Sequence, residues 1–158
     1  VGGKIVNLPI GNTEVVARKI QELTGSDLFK INTVKSYPDD YTETTNVAKE
    51  ELRKNTRPEL TETVDNMDSY DVIYIGYPNW WGSMPMAVYT FLESYDLSGK
   101  TIIPFCTHEG SGIGNSERDI KKLCPNVTVL TGIAIIGGNI GRADKDIADW
   151  LKKLDLIS

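Results

Sequence analysis

The stretch DVIYIGYPNWWGSMPMAVYTFLESYDLSGKTIIPFCTH, residues 71–108, decides the fold. It opens on an apolar run from Asp71 to Tyr77, rich in β-branched and aromatic residues and too short for a helix. Met84, Val88, Phe91, Leu92 and Tyr95 then recur at helical spacing, and a second apolar run follows from Thr101 to Cys106. Strand, helix and strand in immediate succession make a parallel crossover unit. Continuous rather than alternating apolar runs fit strands covered on both faces, as a parallel sheet requires.

The same alternation continues outward. Val16, Ile20 and Leu23 mark a one-sided helix, and Asp27 to Ile31 a short strand. The segment from Asp39 to Asn55 is polar but permits a helix. Ile120, Leu123 and Cys124 share one side of a helix that Pro125 ends. Val127 to Ile136 reads as a strand broken at Thr131-Gly132, and Ala143, Ile147, Trp150, Leu151 and Leu154 as a final helix. Without repeats or linkers, this order predicts one α/β domain over residues 1–158. Its five-stranded parallel sheet should have the order 2-1-3-4-5 and helices on both faces, because right-handed crossovers leave few alternatives. The first strand fits least well: Gly2, Gly3, Lys4 and Asn7 are poor material for a buried central strand.

With 158 residues, 40% of them hydrophobic, the chain can bury a sizeable core. A formal net charge of -5 argues against a module that grips a nucleic-acid backbone. Cys106 and Cys124 have no CxxC spacing and no neighbouring histidines, so two reduced thiols are expected rather than a zinc site or a disulfide framework. No run approaches the roughly 20 apolar residues of a membrane span, and no basic segment followed by an apolar core opens the chain. A cytoplasmic location is the expectation.

In a sheet of this order ligands bind beyond the carboxyl ends of the strands, where the strand order reverses. Three loops meet there: Leu8 to Thr13, Pro78 to Met84, and Thr107 to Gly114. Gly11-Asn12-Thr13 precedes a helix, so backbone N–H groups of residues 12 to 15, including Glu14 and Val15, can converge on an anion such as a phosphate. Simple capping by Asn12 explains the tripeptide as well. Trp80 and Trp81 cannot both turn easily into the core; one is expected to cover the following helix and the other to stack on a flat aromatic group. Pro78 can fix the turn, a cis peptide being one way to do so. In the third loop Gly110, Ser111, Gly112 and Gly114 let the backbone approach a planar ligand, beside His108, the chain's one histidine, and Glu109. No nucleophile motif accompanies them. A phosphate site paired with an aromatic platform calls for a mononucleotide with a large flat ring.

Gly11-Asn12-Thr13, Tyr77-Pro78-Asn79-Trp80-Trp81-Gly82 and Thr107-His108-Glu109-Gly110-Ser111-Gly112 together resemble the bacterial flavodoxin-like group of FMN-binding proteins, over most of the chain from about residue 11. The resemblance implies a flavodoxin-like three-layer sandwich of the short-chain kind that binds FMN and carries electrons to redox partner proteins. It places phosphate at Gly11, Asn12, Thr13, Glu14 and Val15. It places the isoalloxazine between Pro78, Asn79, Trp80, Trp81 and Gly82 on one side and Thr107, His108, Glu109 and Gly110 on the other. No side chain is assigned catalytic work, and no metal is implied.

Two positions depart from that pattern. Leu8 and Ile10 stand where the family has phosphate-binding hydroxyls, and Pro9 removes a backbone donor between them. Each lost hydroxyl bond to a charged group is worth about 1.5 to 3 kcal/mol. Two alternatives stand beside the electron carrier, and the departures favour the second. One is an NAD(P)H-dependent FMN reductase of quinones or small molecules; the other is a binding or scaffold domain that has lost tight FMN binding. A phosphoacceptor receiver domain would need acidic residues where the chain has Asn7-Leu8 and Tyr77-Pro78, and a phosphatase would need a Cys-x5-Arg loop, which neither cysteine begins.

Overall fold

The computed structural model describes residues 3–8, 12–35, 37–38, 40–80, 84–108, 113 and 116–156. The chain runs β1 (Lys4–Asn7), α1 (Thr13–Thr24), β2 (Asp27–Lys30), α2 (Tyr41–Lys54), β3 (Val72–Pro78), α3 (Met86–Glu93), β4 (Thr101–His108), α4 (Ser116–Leu123), β5 (Thr128–Val129), β6 (Ile133–Ile136) and α5 (Asp144–Lys153). The strands pair in parallel in the order β2-β1-β3-β4-β5, with β6 also on β4. This is the flavodoxin-like α/β arrangement that the sequence predicts.

The pleat divides the apolar residues between two layers. Ile5, Tyr74, Ile103 and Phe105 face Val16, Ala17 and Ile20 of α1 and Ile147, Trp150 and Leu151 of α5. Val6, Ile73, Ile75, Ile102 and Cys106 face the other way, toward Ala48 of α2, Val88, Phe91 and Leu92 of α3, and Ile120 of α4. The polar segment before Asn55 becomes α2 because Asp40 caps it, its carboxylate accepting from the Glu43 N–H at 2.9 Å, and Asn55 closes it in the left-handed region at φ 52°. Leu23 is a correction: it lies on the apolar angle of α1 yet is 41% exposed. It lies in the last turn of the helix, which ends at Thr24, and the buried positions of α1 stop at Ile20.

The first strand takes the central place despite its composition, in register with Asp27 to Lys30 on one side and Ile73 to Gly76 on the other. Lys4 sits at its entry, its ammonium 5.1 Å from the Tyr70 ring centroid and 5.8 Å from that of Phe29. Asn7 is fully buried at the exit.

The expected fifth strand is divided in two where Thr131-Gly132 breaks the apolar run. Between the pairs Ile102↔Val129 and Phe105↔Ile133, β4 advances three residues and its partner four. The cause lies in β4. Thr101 donates toward β3, at Asp71, whereas the carbonyls of Lys100 and Ile102 accept from Thr128 and Leu130, so the missing N–H of Pro104 falls on the β5 side. The extra residue bulges out at that gap. Glu117 accepts the Gly132 N–H at 2.6 Å and Trp150 Nε1 donates to the Thr131 carbonyl at 2.9 Å, which satisfies the bulged backbone.

Candidate functional site

The ends of β1, β3 and β4 meet at the carboxyl edge, beside the start of α1. Asn12 stands at the N-cap position and its carbonyl accepts from Val16, but its side chain makes no capping hydrogen bond. Thr13 is fully buried, and its hydroxyl lies 3.0 Å from that of Thr107, which ties the first turn of α1 to the end of β4. The Glu14 carboxylate bonds Lys30 of β2 at 2.9 Å and Arg18 at 3.3 Å. These partners, Lys30 foremost, hold its carboxyl below the usual range. Val15 is 43% exposed. At these two positions an anion at the helix start therefore finds backbone N–H groups rather than side-chain donors.

On β3, Pro78 is the last strand residue rather than part of the turn, and no described peptide bond is cis. The Gly76 carbonyl accepts from Leu8 and the Asn79 N–H donates to Thr107, so alternate residues of β3 address β1 and β4. The missing N–H of Pro78 thus faces past the last paired residue of β1, where no ladder bond is lost. Asn79 is buried, its N–H donating to the Thr107 carbonyl at 2.8 Å.

Trp80 is 5% exposed and belongs to the core layer under α2, α3 and α4. Its ring meets Tyr37 edge-on, with centroids 5.4 Å apart and planes at 61°. Tyr37 in turn donates to Glu51 Oε1 at 2.7 Å; burial first, and that carboxylate second, pushes its phenol far up. Thr107 is buried, and His108 closes β4 half-exposed, in register with Ile136. Gly11, Trp81, Gly82, Glu109 and Gly110, named from the sequence, lie outside the described residues. So do Ser111, Gly112 and Gly114, and Pro9 and Ile10 of the atypical loop.

The structure brings Asn12, Thr13, Asn79, Thr107 and His108 to one edge. It adds Tyr37, which no local pattern announces because it reaches Trp80 only in space. It also corrects the reading of Leu8, whose side chain is buried in the layer opposite α1 and so packs rather than lining the helix start. Asn7, by contrast, follows Ile5 on the α1 face. Its oddity in an apolar strand was the one signal in the sequence that pointed to it.

Neither cysteine is in a disulfide. Cys106 is fully buried on β4, and burial, with Glu117 adding to it, pushes its thiol to about 12; Cys124 is half-buried and also raised. Reactivity follows the thiolate, so Cys124 is expected to alkylate slowly and Cys106 only after unfolding. Iodoacetamide labelling read by mass spectrometry checks this order, and native labelling of Cys106 ahead of Cys124 would contradict it. Among the described residues no His, Cys, Asp and Glu cluster could hold a metal, and no helix is long and apolar enough to cross a membrane.

The flavodoxin family model matches residues 8–154. Among solved structures, a protein provisionally described as a flavoprotein from Bacteroides eggerthii is 31% identical, with TM-score 0.82 over 96% of this chain and 97% of its own. A flavoprotein from Lactobacillus acidophilus in complex with FMN is 21% identical, with TM-score 0.69 over 89% of this chain and 97% of its own. A Fusobacterium nucleatum flavodoxin bound to flavin mononucleotide is 15% identical, with TM-score 0.59 over 96% and 95%. No curated protein matches the sequence. With the family pattern running through nearly the whole chain, and a 31% identical structure matching almost end to end, the chain belongs to the flavodoxin family.

Proposed function

We propose that the chain binds FMN at the carboxyl edge of its sheet and carries electrons between partner proteins. The observation that carries this reading is the start of α1. A helix of 12 residues begins there without a side-chain cap, and the apolar layer beneath α1 turns polar at Asn7, Thr13 and Thr107. That donor set fits a phosphate: first-turn N–H groups, the positive end of the helix dipole and buried hydroxyls. The two FMN-bound relatives share the fold.

On this reading the first turn of α1 binds the phosphate end, with Lys30 keeping the Glu14 carboxylate occupied. Trp80 anchors its loop in the core, so Trp81 is the ring left to stack on the isoalloxazine. Asn79, Thr107 and His108 border the ring from the ends of β3 and β4. Bound FMN would supply reversible uptake of one or two electrons, and the protein's part is to hold, orient and shield it. The net charge of -5 favours partners with basic faces.

The test is a visible absorption spectrum of the protein after mixing with FMN and gel filtration. Flavin bands are expected to co-elute with the protein in stoichiometric amount. A colourless protein fraction would overturn the reading and favour a domain of this fold without tight cofactor binding.

A further inference from the structure

We infer that Asn7 determines specificity for the phosphate end of the cofactor, its side-chain amide donating to the phosphate group. The inference rests on the FMN reading above. In Asn7 both side-chain polar atoms, Nδ2 and Oδ1, are buried without a hydrogen-bond partner, and the residue has no solvent exposure. An amide orphaned in this way inside a central strand calls for a reason, because a leucine or valine there would fit the layer at no such cost.

Its place supplies the reason. Asn7 is the last residue of β1, in register with Gly76 of β3 and Lys30 of β2, at the point where the strand order reverses. Ile5, one pleat step earlier, packs with Val16, Ala17 and Ile20 of α1. Because α1 runs back along β1, the next step on that face lies toward the first turn, at Thr13. Gly76 beside it carries no side chain, and the group that fills that space is the apolar ring of Phe105. A helix start that the Asn12 side chain does not cap and an orphaned buried amide therefore adjoin at the same edge.

Leu8 adds to the argument. It stands where the resemblance expects a hydroxyl, but its side chain belongs to the opposite layer. The side-chain donor that β1 itself offers on the α1 side is Asn7, beside the hydroxyls of Thr13 and Thr107. Its amide is neutral and carries two N–H donors, so it gains from a phosphate and nothing comparable from the uncharged ribityl end of riboflavin.

The experiment measures dissociation constants for FMN and riboflavin by flavin fluorescence, with wild type and Asn7→Leu, and the melting temperature of each flavin-free protein with and without inorganic phosphate. Asn7→Leu is expected to weaken FMN about tenfold or more, leave riboflavin unchanged and abolish the stabilisation by phosphate, while its own melting temperature holds or rises. An unchanged ratio of FMN to riboflavin affinity in folded Asn7→Leu would overturn the inference. Should Asn7→Leu fail to fold, the Asn7 side-chain amide resonances of the wild type decide: they should shift with inorganic phosphate and with FMN but not with riboflavin. If the wild type binds no FMN, the proposed function fails, and the phosphate arm still reads Asn7 separately. Absence of any phosphate effect on both melting temperature and resonances would then reject it as well.

Discussion

Trp80→Ala is expected to destabilise the fold by about 3 to 5 kcal/mol, the range for emptying a buried aromatic site. Trp80 is 5% exposed, packs in the layer with Met84, Tyr77 and Leu8, and meets the edge of Tyr37 at 5.4 Å. Truncation leaves a cavity and removes an aromatic pair from a loop that begins directly at the end of β3. Trp81→Ala should behave oppositely, changing stability little while weakening FMN about 2- to 13-fold. That is what a stacking contribution of about 0.5 to 1.5 kcal/mol amounts to. Denaturant unfolding of the flavin-free proteins and flavin fluorescence titrations separate the two effects. If Trp80→Ala leaves the unfolding midpoint in place and Trp81→Ala lowers it, the roles assigned to the two rings are reversed.

The tryptophan pair also shows where sequence reading reaches its end. Two adjacent rings in a loop imply that one is buried, yet their neighbours along the chain are the same for both. What singles out Trp80 is Tyr37, from the connection between β2 and α2, which no periodicity links to residue 80. The strands were legible for the converse reason. Val72–Pro78 and Thr101–His108 are continuous apolar runs whose length alone separates them from helices, and each extends past the predicted end only through residues that pair at the edge. The break at Thr131-Gly132 was visible too, but its cause was not: Pro104 is the residue opposite the gap, and only the direction of the β4 ladder shows which neighbour loses a bond. β1 was the reverse case. Lys4 and Asn7 speak against a central strand, and the structure accommodates them because they sit at its two ends, one under aromatic rings and one at the site. Which side of the strand Leu8 and Asn7 occupy exchanges their apparent roles, and a pleat of period two makes that depend on a single residue of register.

Gly76→Ala is the second change with a large expected effect, about 1 to 3 kcal/mol of destabilisation from one added methyl group. A Cβ at Gly76 would lie 2.2 Å from both Cε2 and Cζ of Phe105 and 2.9 Å from Cε1. Those atoms cannot retreat as the tip of a surface side chain could, because Phe105 is fully buried with Ile103, Ile135 and Val16 in the layer under α1 and α5. The strain should therefore be relieved by shrinking the ring. Phe105→Ala alone is expected to cost about 3 to 5 kcal/mol as a cavity mutation. In the double variant the new methyl group fills part of that cavity, so the combined loss should fall short of the sum by about 1 kcal/mol or more. Urea unfolding of the four proteins measures this directly, and additive losses would show that Phe105 does not set the requirement for glycine. The row Asn7, Gly76, Phe105 crosses the sheet one step below Thr107, whose hydroxyl reaches Thr13. A ring displaced by Gly76→Ala has the first turn of α1 as its neighbour. The single variant should therefore also weaken FMN, and Phe105→Ala added to it should restore part of that affinity, an outcome that a purely global loss of stability would not produce.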